Sequence, residues 1–165
     1  MAKADIFIQD VAGNNVIPSV SRQTEANATD ILAGEPVKLK SAGSPYVIPL
    51  ADNEPAIGTT TQMIGITSGA SNHTASADGT VNVYMIKPGV IYRAKASTPA
   101  NIDTQAKLDA LVNDNVLFDL ITGVFTVDEN AGNAAVNGIQ IVGGDVAQGE
   151  IYFTIRPAAA EGAIA

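Results

Sequence analysis

The run from Ala77 to Ala96, A-D-G-T-V-N-V-Y-M-I-K-P-G-V-I-Y-R-A-K-A, constrains the fold more than any other stretch, because it writes two alternating segments around a Pro-Gly corner. Val81, Val83 and Met85 fall on one side of the first segment, Asn82 and Tyr84 on the other. This is the period-2 rule of a half-buried strand. After the corner, Val90, Tyr92 and Ala94 alternate with Ile91, Arg93 and Lys95. Pro88 presets φ for a turn and Gly89 supplies the positive φ of a type II corner, which splays its flanking strands instead of closing a two-residue hairpin. A bend between two sheets, or around a barrel, is expected.

The same texture extends along the chain. Val37 to Lys40, Tyr46 to Leu50 and Met63 to Thr67 are short strand candidates set between Gly, Pro, Asn and Ser clusters. Turn signals roughly 8–15 residues apart point to a sandwich or barrel. Ser68 to Gly79 is poor in apolar residues and reads as an exposed loop. One helix follows Pro99, with Asn101 or Asp103 as its cap and Leu108, Leu111 and Val112 at helical spacing. Beyond it, Val116–Ile121 and Val124–Asp128 flank Thr122-Gly123, while Ala134–Val136 and Ile139–Val142 flank Asn137-Gly138. Both are read as hairpins, Asn-Gly being a strong turn signal. Ile151 to Arg156 alternates again and stops at Pro157.

The fold class expected is mainly β: a single β-barrel or β-sandwich-like domain with one short helix over about residues 103–113 and an extended amino-terminal arm. Residues 1–30 form the arm, 31–157 the β-rich domain with 101–148 as a candidate extra lobe, and 158–165 a flexible tail.

Composition narrows the chemistry. At 165 residues the chain is long enough for one domain with a sizeable core. Only 5% of residues are aromatic and there is no Trp, so the core must rest on Val, Ile, Leu and Ala. A net charge of -8 repels phosphate backbones and anionic lipid, which argues against nucleic acid as a direct partner. With no Cys, disulfides, thiolate metal sites and a Cys nucleophile are excluded. No stretch approaches the ~20 apolar residues that span a bilayer as a helix, and the M-A-K-A-D start lacks the apolar run of a signal peptide. No membrane partner and an intracellular site of synthesis are expected. The sequons at Asn27 and Asn72 would matter only in a eukaryotic secretory pathway, which nothing else supports.

No catalytic, cofactor or metal set emerges. His73 is the one histidine and sits in a polar stretch, where it reads as a solvated loop residue. A lone imidazole without a G-x-S-x-G elbow makes no triad and supplies too few ligands for a metal centre. Asp52-Asn53-Glu54 and Asp128-Glu129-Asn130 carry oxygen ligands suited to Ca²⁺, but such residues also build turns by bonding local backbone. Gly143-Gly144-Asp145 reads as a turn, since no helical pattern or Lys-Ser/Thr follows it. Two basic rows, Lys38 with Lys40 and Arg93 with Lys95, either keep a strand edge soluble or dock on an acidic surface.

Gly34-Glu35-Pro36-Val37-Lys38-Leu39, Ile64-Gly65-Ile66-Thr67 and Asp78-Gly79-Thr80-Val81-Asn82-Val83 with the Pro88-Gly89-Val90 corner resemble the small β-rich head decoration, or cement, proteins of tailed bacteriophages. The resemblance covers about Ile31 to Ala96 and is one of texture. It implies a structural virion protein and not an enzyme, bound to the major capsid protein on the outer capsid surface, commonly as a homotrimer at three-fold and quasi-three-fold positions, and made in the host bacterial cytoplasm. No cofactor is implied. The candidate shell or subunit contacts are Ile6, Phe7 and Ile8 in the arm, by strand addition or as an ordinary first strand, and Arg93 and Lys95. A receptor-binding or fibre-tip β module is the alternative. At 165 residues, with a helix and two late hairpins, the chain is larger than the smallest proteins of that kind.

Overall fold

In the computed structural model, which describes residues 5–11, 17–58 and 62–160, the Pro88-Gly89 corner carries the chain from one sheet to another. Gly89 has φ of 81°, the left-handed conformation that a type II corner demands. Before it, β6 (Gly79–Met85) lies in a five-stranded antiparallel sheet; after it, β7 (Val90–Lys95) lies in a six-stranded one. The alternation holds on both sides, with Val81, Val83, Val90, Tyr92 and Ala94 buried.

The six-stranded sheet runs β1 (Phe7–Val11), β7, β11 (Glu150–Ile155), β10 (Ile139–Asp145), β8 (Asn115–Ile121) and β9 (Val124–Asp128). The five-stranded sheet runs β2 (Ser19–Thr24), β6, β5 (Met63–Thr67), β3 (Pro36–Leu39) and β4 (Val47–Pro49). Neither closes into a barrel. One parallel bridge, Gln23 to Tyr46, ties the outer strands of the second sheet, whereas in the first Ala96, just past β7, bridges Val127 of the outer strand β9 and leaves β1 outside.

Two cores result. The larger gathers Tyr92, Phe118, Phe125 and Phe153 with Ile139, Ile141, Ile151 and Leu108. Tyr92 and Phe153 stack at 5.9 Å between centroids, and Phe118 meets Phe153 edge-on at 5.4 Å. The smaller contains Ile31, Val37, Val47, Ile64, Val81 and Val83. Strand β5 is buried along its whole length and serves both: Ile64 joins the small core, Met63 and Ile66 the large one.

Several sequence expectations are corrected. The described part of the arm is a pair of edge strands, because β1 finds β7 and β2 finds β6 as long-range partners. The 101–148 region is no separate lobe: β8, β9 and β10 share a sheet with β7 and β11. Asn137-Gly138 makes no hairpin. Asn137 is buried, its amide donating to Asn115 O and Gly132 O at 2.8 Å each, and Gly138 lies so close to Pro55 O and Ala159 that no Cβ would fit. Gly143-Gly144-Asp145 is the bulged end of β10; the turn falls later, where Gln148 N donates to Asp145 Oδ1 at 3.1 Å. The Thr122-Gly123 hairpin joins β8 to β9 as expected. The helix, α1 (Gln105–Leu111), is capped by Thr104 and not by Asn101 or Asp103; Asp103 instead pairs with Lys107. Ala159 and Ala160, expected in the flexible tail, are buried; residues 161–165 of that tail lie outside the described residues.

Candidate functional site

Register brings Phe7, Arg93 and Lys95 of the five candidate contacts to one face, while Ile8, next to Phe7 on β1, points to the other. Phe7 stands opposite Arg93 and Ile8 opposite Tyr92 in the β1–β7 ladder, and the Arg93 guanidinium lies 5.2 Å from the centre of the Phe7 ring. Lys95 follows on the same strand face, since residues two apart point the same way. Phe7 is 44% and Ile8 36% exposed, whereas Ile6 is buried in the larger core and is no surface contact. Among the described residues β1 ends its sheet, with β7 bonded to one side and no strand to the other.

A recess lies on each side of Phe7. One, of about 180 Å³, opens between β1 and the start of β9 and is lined by Ala94, Val124 and Phe125, with Asp5, Lys95 and Glu150 at its walls. The other, of about 190 Å³, separates β1 from the second sheet and is lined by Ile6, Ile8, Ala33, Ile66 and Tyr84. Leu32, next to this second recess in the chain, is also exposed. An edge strand bearing two exposed apolar side chains, flanked by two partly apolar recesses, leaves main-chain groups and apolar surface unpaired on its outer side among the described residues. Tyr84, Leu32 and Ala33 carry no sequence signal that sets them apart, because they reach this surface only through the packing of one sheet on the other.

The Arg93–Lys95 row is not a free cationic stripe. Glu150, opposite Lys95 on β11, pairs with Arg93 at 3.0 Å and Lys95 at 3.2 Å, and Lys95 Nζ also donates to Gln148 O at 2.7 Å. One carboxylate shared between two cations leaves one net positive charge. The Lys38–Lys40 row is likewise engaged, by Glu54 and Glu25. The two basic rows therefore present less free positive charge than the sequence implies.

Other sequence candidates serve the fold. The His73 ring is buried, correcting its reading as a solvated loop residue: Nε2 lies 2.9 Å from Ala28 O and 3.5 Å from Asp30 Oδ1, pinning the 68–79 loop to the 25–31 segment. Glu129 accepts from Ser97 N, Ser97 Oγ, Thr98 N and Asn101 Nδ2 at 2.9–3.2 Å. Glu54 accepts from Ala51 N and Lys38, and Asp52 from Leu120 N. These carboxylates are spent on internal donors. Asp119 sits near Asp52 and Asp128; burial, then the Asp52 hydrogen bond and the two like charges, push its carboxyl above the usual range. Among the described residues no group of three or more His, Cys, Asp or Glu side chains is placed to hold a metal ion.

No family model matches the chain, and no curated protein and no solved structure is found to match it.

Proposed function

We propose that the chain is a structural virion protein that binds the outer surface of a tailed-phage head and stabilises the expanded shell. It acts as a homotrimer at three-fold and quasi-three-fold sites, with the major capsid protein as its partner, after synthesis in the bacterial cytoplasm. It is a binding protein and not an enzyme, uses no cofactor, and touches neither nucleic acid nor membrane directly.

The observation that carries the reading is the β1 edge: Phe7 and Ile8 exposed on a strand that ends its sheet, between two recesses. Strand addition at such an edge provides main-chain hydrogen bonds, and the recesses select side chains. A ligand that binds only the expanded shell stabilises that state by mass action, without turnover. A trimer straddling several shell subunits makes each later contact effectively intramolecular, so modest single contacts suffice. The resemblance of residues 31–96 to decoration proteins points the same way.

Copy number tests the proposal. Purified particles are expected to carry hundreds of copies, and the recombinant chain to add to empty expanded heads until those sites saturate. A handful of copies per particle, with binding to host cells but not to heads, would instead identify a receptor-binding tip module.

A further inference from the structure

A recess of about 360 Å³ opens on the solvent side of the five-stranded sheet, where the β2–β6 ladder meets the 68–79 loop, and is lined by Gln23, Asn72, Asp78, Gly79 and Thr80. Gln23 and Thr80 stand opposite each other in the ladder, both exposed. The loop is fixed from beneath. His73 is buried with Nε2 2.9 Å from Ala28 O, and a Cβ on Gly79 would lie 2.2 Å from His73 N and 2.6 Å from Asn72 Oδ1. Two side chains of the recess are oriented by bonds that use only part of their capacity. Asn72 Oδ1 accepts from Thr80 N at 2.6 Å, while its Nδ2 has no partner among the described residues. Asp78 Oδ1 accepts from Ala26 N at 2.8 Å and Oδ2 from Tyr46 Oη at 2.7 Å, one bond each for oxygens that can take two. The Tyr46 hydroxyl first, and the Ala26 amide after it, hold the Asp78 carboxyl below its usual range, so it remains an acceptor. The Gln23 amide is unpartnered among the described residues, and Thr80 Oγ1 lies 3.5 Å from Asn72 Oδ1, too far for a strong bond.

Unused donors and unused acceptors therefore share one preorganised recess. A cationic side chain would use the acceptors and leave the Asn72 donor facing it, and an apolar group would satisfy neither kind. Adjacent hydroxyls, each a donor and an acceptor, match both. We propose that this recess is a carbohydrate site, which takes a hexopyranose through neighbouring hydroxyls that donate to Asp78 and accept from Asn72 Nδ2. Gln23 and Thr80 supply further bonds from the ladder. No aromatic ring lines the recess, so stacking adds nothing and binding rests on hydrogen bonds. The site belongs to the second sheet and does not depend on what the β1 edge meets.

Amide NMR of the full chain, titrated with the methyl glycosides of glucose, galactose and N-acetylglucosamine, tests the site without any shell. At least one glycoside should shift the Gln23, Asn72, Gly79 and Thr80 amides saturably, with a Kd in the millimolar range that a few hydrogen bonds provide, and leave Phe7 and Ile8 unmoved. Asp78→Asn, which still offers an oxygen to Ala26 N or Tyr46 Oη, should weaken that binding about tenfold or more. Should that variant fail to fold, Gln23→Ala decides the matter, since this exposed side chain has no partner to lose and its removal should weaken binding several-fold. No saturable shift with any of the three glycosides, or undiminished binding by the folded variant, overturns the proposal. Shifts of the same amides by methylguanidinium chloride, with none by the glycosides, would assign the recess to a cationic side chain and overturn it equally.

Discussion

The six-stranded sheet packs four aromatic rings, three of them phenylalanines, into one connected cluster, whereas the five-stranded sheet closes over six Val and Ile side chains. Both sheets add polar pairs to these cores, Glu150 with Arg93 and Lys95 on the first, and on the second Lys38 with Glu54, Lys40 with Glu25, and Tyr46 Oη with Asp78 Oδ2 at 2.7 Å. With so few aromatics in the chain, their concentration in one sheet decides where burial is greatest. The two cores share β5, which gives Met63 and Ile66 to the larger and Ile64 to the smaller. The exposed β1 edge belongs to the aromatic sheet but is tied to the aliphatic one by the hydrogen bond from Ile6 N to Gly34 O. One strand thus carries both the exposed edge and a tie between the two sheets.

Substitutions in the two cores can break this contrast. The largest effect is expected for Phe153→Ala, which empties the centre of the ring cluster and should cost ~3–5 kcal/mol in denaturant unfolding. A loss no greater than that of an aliphatic truncation would remove the asymmetry. Next is Glu129→Ala, expected to cost ~1.5–3 kcal/mol, because it strands donors that the 97–101 segment directs at a buried carboxylate. A neutral result would mean that this strap does not hold β9 against the end of β7. The smallest is Ile64→Val in the aliphatic core, at ~0.5–1.5 kcal/mol. A larger loss there would make β5, and not the aromatic cluster, the keystone.

Local signals were legible where local chemistry decides. Pro88-Gly89 turns the chain between sheets because its backbone preferences leave few alternatives, and Thr122-Gly123 closes the β8–β9 hairpin for similar reasons. Asn137-Gly138 misleads because its environment is remote: Pro55, Asn115 and Ala159 come from three other parts of the chain. His73 reads as polar surface since nothing nearby foretells that Ala28 will cover it. The arm becomes two edge strands only through partners far along the sequence. The site divides in the same way: Phe7, Ile8, Arg93 and Lys95 stand out individually, but that Phe7 meets Arg93 while Ile8 turns to Tyr92 is a matter of β1–β7 register. The Glu150 carboxylate that neutralises the basic pair enters from β11, and no local pattern announces it.

The most direct test of the central claim is saturation binding of a Phe7→Ser/Ile8→Ser double variant to empty expanded heads. Both side chains are exposed, so the folded stability should change by no more than about 1 kcal/mol, while affinity for heads falls by more than about tenfold through loss of the apolar edge. Wild-type affinity and full occupancy by this variant would contradict the account and move the contact away from β1.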